Sequence, residues 1–424
     1  MKHRATAFKK DLQYYKFCAY GFLKNLRLFE PFIMLFFLEN GLTFLQIGGL
    51  YSIREITRNV FEIPAGIIAD SLGRRRTMIW SFTFYIMSFL IFYFAKSYTV
   101  FIAAMVFFSL GDAFRTGTHK AMIFDYLRIH GWENQKVTYY GLTHSWSQMG
   151  SALSALISAT FVFITGSFRW IFLVSVVPYL LDLILMSTYP KILDGATSAL
   201  SRKQIARTFK KVFLDFLKSF TNSRLLKAIG NMSVYTGYYK AAKDYLQPVL
   251  QTFALSVPVF LVMKNRERES IIIGVIYFII YLITSFTSRR AGRFSDLFGK
   301  LNLPLNITLL VGLSAGALSG LFYHFELFAL SIILYIFIYV VENLRKPIAV
   351  SYISEAGNKN ILASVLSAES QAEAIFAAIL APLIGYVADQ ISLGYSIFAV
   401  SAFLVILSPL FLLRKKVWNQ TSKT

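Results

Sequence analysis

The chain contains 424 residues, of which 56% are hydrophobic and 15% are charged, and its mean hydropathy is +0.55. This composition is too apolar and too poor in charge for an ordinary soluble protein. The net charge of +21 would suit nucleic acid only if the cations shared one soluble face, but they lie between hydrophobic stretches, so we expect lipid and not nucleic acid as the partner.

Apolar stretches recur along the chain, and each is long enough for a membrane-spanning helix of about 20 residues. The first stretch lacks a small-residue cleavage site, so we expect it to remain as a helix and not to be removed as a signal peptide. We predict an all-α membrane protein with twelve transmembrane helices, near residues 17–39, 45–69, 77–95, 100–126, 137–164, 170–189, 225–253, 271–287, 303–323, 327–352, 362–388 and 395–413.

Basic residues occupy alternate connections between these spans, which the positive-inside rule places in the cytoplasm. We therefore predict a protein of the bacterial inner membrane with both termini in the cytoplasm. The basic connections include residues 2–16, 74–76, 128–136, 191–227, 289–293 and 414–416. One opposite connection also carries Lys264, Arg266 and Arg268, although Glu267 and Glu269 lie beside them.

The longest polar stretch separates the sixth and seventh spans and divides the chain into two predicted six-helix bundles, residues 1–190 and 224–424. Within the linker at 191–223, apolar residues recur at helical spacing and basic residues occupy the other face. This pattern predicts an amphipathic helix in the cytoplasmic membrane interface, with a partner-binding helix as the alternative.

Two sets of residues recur at identical spacing, which indicates duplication of a six-helix unit. The first set follows the second and eighth spans: Gly66, Asp70, Gly73 and Arg74, then Gly292, Asp296, Gly299 and Lys300. The second set lies in the fourth and tenth spans: Asp112, Arg115 and Asp125, then Glu342, Arg345 and Glu355.

The segment at 61–76, FEIPAGIIADSLGRRR, resembles the loop between the second and third helices of the major facilitator superfamily. The matching residues are Gly66, Asp70, Gly73, Arg74 and Arg75. The fourth span and the end of the eleventh extend the resemblance with Gly117, Thr118, Ala121, Ile123, Asp125, Pro382, Gly385, Ala388 and Asp389. The resemblance implies a transporter of two pseudo-symmetric six-helix bundles, similar to bacterial exporters.

Simple chemistry accounts for the residue types in this loop. Gly66 allows neighbouring helices to approach closely, and Gly73 permits a tight turn with positive φ. Asp70 can accept hydrogen bonds from a helix N-terminus or pair with a guanidinium, while Arg74 and Arg75 suit the anionic leaflet. The resemblance implies a conformational latch that favours the outward-facing state. Its second copy, at Asp296, lacks a basic pair, so we expect a one-sided latch.

Charged residues within the spans cost about 2.5 to 3.5 kcal/mol each at mid-bilayer, so we expect them to face partners or a watery cavity. Glu30, Asp112 and Glu342 are the candidate proton carriers, because desolvation favours the neutral form of a carboxylate. In the family that the chain resembles, the first, fourth, seventh and tenth helices line the central cavity. The resemblance therefore implies a substrate and proton site formed by the charged residues of these four helices and two carboxylates of the eleventh. Its residues are Arg27, Glu30, Asp112, Arg115, Lys240, Asp244, Glu342, Arg345, Glu369 and Glu373.

The alternative for these charges is structural pairing. Lys240 with Asp244, and Arg58 with Glu62, have the i,i+4 spacing of helical ion pairs. His119 and His144 could shuttle protons, but a single histidine in a membrane helix more often takes part in helix packing.

Patterns for enzymes fail on inspection. Cys18 is the single cysteine, so a disulfide or thiolate cluster within the chain is excluded. Gly312, Gly316 and Ser314 match an esterase motif, but they lie in an apolar helix, where small residues predict helix packing. Neither a zinc motif nor a P-loop is present. We predict no enzymatic activity, no cofactor and no metal site.

We expect a monomeric secondary transporter that moves a small solute by alternating access. The resemblance to exporters favours proton-coupled efflux of a drug or metabolite, which is an antiport. Proton-linked uptake of a zwitterionic or anionic metabolite is the alternative, because paired arginines and carboxylates suit a charged solute. A receptor, scaffold or lipid-modifying enzyme on the same frame is the alternative from another class.

Overall fold

The structure is a computed structural model and describes residues 8–195, 223–258, 262–354 and 359–413. Within these ranges the chain is helical and contains no strand, which confirms the predicted all-α class. The helices are α1 Leu12–Lys24, α2 Ile33–Glu39, α3 Phe44–Leu72, α4 Arg74–Phe94, α5 Tyr98–Arg115, α6 Thr118–Ile129, α7 Lys136–Thr165, α8 Trp170–Ser187, α9 Ser223–Ala242, α10 Leu246–Ser256, α11 Asn265–Asp296, α12 Asn302–His324, α13 Phe328–Ser354, α14 Lys359–Gln390 and α15 Leu393–Leu407.

Three predicted spans are interrupted. The first breaks into α1 and α2 over residues 25–32, a stretch that includes Pro31. The fourth breaks between α5 and α6 at Gly117, whose φ is 77°. In the seventh, a 3₁₀ turn at Lys243–Tyr245 separates α9 from α10.

Across the described ranges, nine helical segments are long and apolar enough to cross a membrane. The first and seventh predicted spans are interrupted, and α3 carries Arg54, Glu55, Arg58 and Glu62, so none of these three is among the nine. The count of twelve therefore stays a prediction.

One compact unit takes its described residues from Met1–Pro31, Thr57–Ala206 and Ile273–Tyr281. Aromatic rings fill its interior: Tyr179 lies with its ring centroid 5.0 Å from that of Tyr85 and 4.9 Å from that of Phe89. Polar side chains inside it bond to the backbone, as where the Ser81 hydroxyl donates to the carbonyl oxygen of Gly111 at 2.6 Å. These contacts fix α4 against α5 and α8.

The second compact unit takes its described residues from Phe32–Ile56, Arg207–Ile272 and Leu282–Thr424. Here the start of α3 packs on the end of α14. Gly48 lies against the backbone of Ala381, and Gly385 lies against that of Phe44, so closely that a Cβ atom at either glycine would clash. The Asp389 carboxylate accepts hydrogen bonds from the amides of Phe44 and Leu45 at 2.9 and 2.8 Å and thereby caps α3.

The small-residue stripe of α12 packs as predicted. Gly312 lies against Tyr235, Gly316 against Tyr238, and Gly320 against the backbone of Phe398.

The predicted amphipathic helix falls mainly at residues 196–222, outside the described residues. The division of the chain at 191–223 therefore stays a prediction.

Candidate transport site

The interruption between α1 and α2 contains the first pair of predicted site residues. Arg27 and Glu30 approach to 3.9 Å, and the hydroxyl of Tyr281 donates to the Glu30 carboxylate at 3.3 Å. The corresponding interruption in the second half contains Lys243 and Asp244, which pair at 2.6 Å. Interrupted membrane helices expose backbone groups and charges where transporters bind solutes and ions.

Asp112 and Arg115, on the last turn of α5, form a direct pair. Arg115 Nη2 donates to Asp112 Oδ1 at 3.0 Å, and the Tyr85 hydroxyl also donates to Asp112 Oδ1. Arg115 Nε in turn contacts the Tyr85 hydroxyl at 3.2 Å. The three side chains are hydrogen-bonded to one another, which favours structural pairing at this position.

The matching residues of α13 are arranged differently. Arg345, 3% exposed, donates to the carbonyl oxygens of Leu305 and Asn231 and to the Thr308 hydroxyl. It makes no ion pair with Glu342. The Glu342 carboxylate, 5% exposed, instead accepts hydrogen bonds from the Thr236 hydroxyl at 3.1 and 3.2 Å. Arg345 therefore holds α9, α12 and α13 together, while Glu342 is buried beside a neutral partner.

The other predicted carboxylates of the second unit differ in their partners. Lys240 lies 3.0 Å from Glu373 and 3.5 Å from Glu55. Asp244 pairs with Lys243 and not with Lys240, so the predicted i,i+4 pair is wrong, because the chain leaves α-helical geometry at Lys243. Glu369 forms no ion pair with any described residue.

The charges of α3 also differ from expectation. Glu62 makes no hydrogen bond or ion pair with the described residues, so its predicted pairing with Arg58 is wrong. Arg54 lies 3.3 Å from Glu55, which also contacts Lys240 at 3.5 Å. The second-span charges are thus paired in part with a residue of the seventh predicted span.

In the loop between α3 and α4, Gly73 adopts a φ of 96°, as predicted. Arg74 pairs with Asp125, and Arg75 donates from its amide to Asp194 at 2.8 Å and from Nη1 to the carbonyl oxygen of Tyr189 at 3.1 Å. Arg74 and Arg75 thus have fixed protein partners in this loop, and their placement at the anionic leaflet stays a prediction.

The remaining latch residues are open in this structure. Asp70 and Asp296 are exposed and have no hydrogen-bonding or ionic partner among the described residues. A Cβ atom at Gly66 would meet no atom of the described residues within 4 Å, so the predicted close helix packing is not found among them.

A cavity of about 240 Å³ lies between α1, α5, α6 and α7 in the first unit. Basic and imidazole side chains line it without any carboxylate, and we call it the cationic cavity: Lys24, Arg115, His119, Lys120 and His144, with Tyr20 and Tyr140 as aromatic walls. His119, 8% exposed, stacks on Tyr20 with 3.5 Å between ring centroids. Of the predicted site residues, the cavity includes Arg115 alone.

Sequence reasoning missed Asp182 of α8, which is 0% exposed. Both of its carboxylate oxygens are buried without a hydrogen-bond partner among the described residues. Lys24 and Arg115 act on it electrostatically. Its signal was available in the sequence, because Asp182 is the one charged residue between Trp170 and Tyr189. Lys24 lies in the first predicted span but is not among the predicted site residues. The described residues hold no cluster of three or more His, Cys, Asp or Glu that could bind a metal.

The helical, multi-pass fold with charged groups at helix interruptions defines a membrane transporter and not an enzyme. Residues 17–368 match the model of the Major Facilitator Superfamily, and the chain belongs to that family. It is 25% identical over 244 residues to the uncharacterized MFS-type transporter YxaM of Bacillus subtilis (strain 168). This match covers 57% of the chain and 59% of that relative, so it spans little more than half of the relative's length.

Solved transporters share the fold. The nucleoside transporter NupG superposes with a TM-score of 0.73 at 13% identity, over 95% of this chain and 98% of that one. A POT family transporter in complex with 5-aminolevulinic acid gives 0.71 at 14% identity, over 94% of each chain. A D-xylose-proton symporter gives 0.69 at 13% identity, over 94% of this chain and 96% of that one.

Proposed function

We propose that this transporter moves a small solute across the bacterial inner membrane by alternating access and couples the movement to protons. Cytoplasmic termini, a monomeric state and a conformational latch at Asp70 belong to the same proposal. The positive connections support the orientation, and the open surroundings of Asp70 leave its side chain available for a second conformation.

The observation that carries proton coupling is the burial of Asp182. An ionised carboxylate that lacks hydrogen bonds is costly in low dielectric, typically by several kcal/mol, unless a charge compensates it. Lys24 and Arg115 supply the nearby positive charge. Asp182 therefore has two favourable states: neutral with a bound proton, or ionised with these two cations nearby. Movement of Lys24 or Arg115 away from Asp182 therefore favours the protonated state.

Glu342 is the matching candidate in the second unit and the one sequence-predicted carrier that the geometry favours. It is buried and its described hydrogen-bond partner is a neutral hydroxyl. Asp112 has a guanidinium and a phenol as partners, and Glu30 has a guanidinium within 3.9 Å. Both of these carboxylates are better held in the charged form.

The direction of transport separates two candidates. Resemblance to exporters favours efflux by proton antiport. The cationic cavity favours the second candidate, proton-linked uptake of an anionic metabolite. An anion entering against an inside-negative potential costs about 2.3 kcal/mol per charge per 100 mV, and a proton carried with it cancels that cost.

A screen in proteoliposomes tests the proposal, with carboxylates, sulfonates, nucleosides and amines supplied with and without a pH gradient. We expect at least one solute to accumulate only with the gradient, and the sign of the gradient gives the direction. In Asp182→Asn, gradient-driven accumulation should be lost while solute exchange continues, because exchange needs no net change in protonation. Glu133→Gln removes a carboxylate from an exposed position outside the cavity and serves as the control, and its transport should fall only in proportion to folded protein. Gradient-driven accumulation that is unchanged in Asp182→Asn and Glu342→Gln contradicts the coupling role.

A further inference from the structure

The cationic cavity concentrates positive charge in a space that no carboxylate lines. We infer that it binds a small organic anion, with the negative group beside Lys24 and Lys120. This inference rests on the proposed transport function and names the substrate class that it serves.

The two lysines are available to a ligand. The Lys24 ammonium makes no hydrogen bond or ion pair with the described residues. The Lys120 ammonium lies 5.4 Å from the ring centroid of Tyr140 and 5.6 Å from that of Phe124, and it has no acidic partner among the described residues. Lys24 shares its acidic neighbours Asp112 and Asp182 with Arg115. With Lys120 included, the three cations of this region exceed the two carboxylates, and an anionic ligand would balance that excess.

The interruption of the fourth predicted span adds to the positive potential. Helix α6 begins at Thr118, directly after Gly117, and Gly117 provides no side-chain cap for its amides. Gly117, His119 and Lys120 all line the cavity, so the positive end of the helix dipole is directed toward it. The N-terminus of α6 and the two lysines thus both favour a negatively charged ligand.

The cavity walls limit the shape of the ligand. Tyr20 is stacked on His119, and the rings of Tyr140 and His144 are nearly parallel, with 5.9 Å between centroids and an interplanar angle of 5°. These faces suit a planar or apolar body attached to the anionic group. A volume of about 240 Å³ restricts that body to the size of a small metabolite.

Binding to the purified full-length protein in detergent tests this assignment without transport. The probes are benzenesulfonate and phenyl phosphate, with benzenesulfonamide as the neutral control and phenyltrimethylammonium as the cationic one. We expect saturable thermal stabilisation by the two anions alone. Lys24→Gln and Lys120→Gln should each weaken anion affinity at least tenfold, and Lys24→Arg should restore it. Lys96→Gln removes the same charge from an exposed position outside the cavity and should leave affinity unchanged.

Three outcomes overturn the inference: stabilisation by the neutral probe equal to that by the anions, anion affinity unchanged in both lysine variants, or stabilisation by phosphatidylglycerol alone, which would identify a lipid site. Lys120 is exposed, so its variant remains informative if Lys24→Gln fails to fold. Anion binding without gradient-dependent transport would support the cavity and reject proton coupling. Gradient-driven transport of a neutral or cationic solute, without anion binding, would reject the cavity alone.

Discussion

The Asp112 carboxylate, the Arg115 guanidinium and the Tyr85 phenol form a hydrogen-bonded set inside the first unit. Such a set is stabilising only while each member keeps its partners, because an unpaired charge in low dielectric is costly. The corresponding residues of the second unit have different partners: Arg345 donates to backbone carbonyl oxygens, and Glu342 accepts from a hydroxyl. The two halves therefore differ in the partners of residues whose sequence spacing is identical.

Tyr85→Phe should lower the free energy of unfolding in detergent by about 1.5 to 3 kcal/mol, since it removes hydrogen bonds to charged partners and leaves the ring in place. The exposed Tyr386 provides the control, and Tyr386→Phe should change stability by less than about 0.5 kcal/mol. Chemical denaturation followed by tryptophan fluorescence would measure both. Equal stability of the two variants would show that the set contributes nothing to folding.

At the scale of helices, the breaks in the first, fourth and seventh predicted spans place charges and a helix end inside the protein. Pro31 and Gly117 were visible in the sequence, yet hydropathy alone does not distinguish a continuous span from an interrupted one.

Close helix packing also varies along a single helix. In α3, Gly48 lies against the backbone of Ala381, whereas Gly66 has no described residue within 4 Å. The two glycines therefore offer a matched comparison within one helix.

Alanine substitution at these glycines should have opposite effects. Gly66→Ala should stabilise the protein by up to about 1 kcal/mol, because alanine is the better helix former and space is available. Gly48→Ala should destabilise it by roughly 1 to 3 kcal/mol, since the added methyl group meets backbone that cannot move aside. Melting temperatures of the two variants under identical detergent conditions check this. A stabilising Gly48→Ala would mean that α3 does not approach α14 as closely as the structure describes.

At the scale of the whole molecule, composition and hydropathy predicted the helical class, and the motif at 61–76 predicted the family. Both follow from properties that are spread over many residues or repeated in a fixed pattern. The partners of individual charges could not be predicted, because Asp244 turns to Lys243 only where the helix is interrupted and Arg345 finds backbone carbonyls from other helices. The cationic cavity was also missed, since its lysines and histidines come from α1, α6 and α7 and show no pattern along the chain.

Lys24 connects the two sites that define the proposed transport cycle, because it lines the cationic cavity and also acts electrostatically on Asp182. An anion that engages Lys24 reduces the compensation of an ionised Asp182 and so favours proton binding there. By thermodynamic reciprocity, a proton on Asp182 strengthens anion binding by the same factor. Other titratable or charged groups that act on this region are Arg27, Asp112, Arg115, Tyr20, Tyr179, Tyr189, His119 and His144.

The dependence of benzenesulfonate affinity on pH tests this coupling most directly. We predict that affinity in the unmodified protein rises as pH falls, because protonation removes the negative charge of Asp182, with a total change of roughly tenfold, or about 1.4 kcal/mol. Asp182→Asn should bind with high affinity at all pH values and retain only the weaker dependence contributed by His119 and His144. An affinity independent of pH in the unmodified protein, or a dependence that persists in full in Asp182→Asn, would contradict the account.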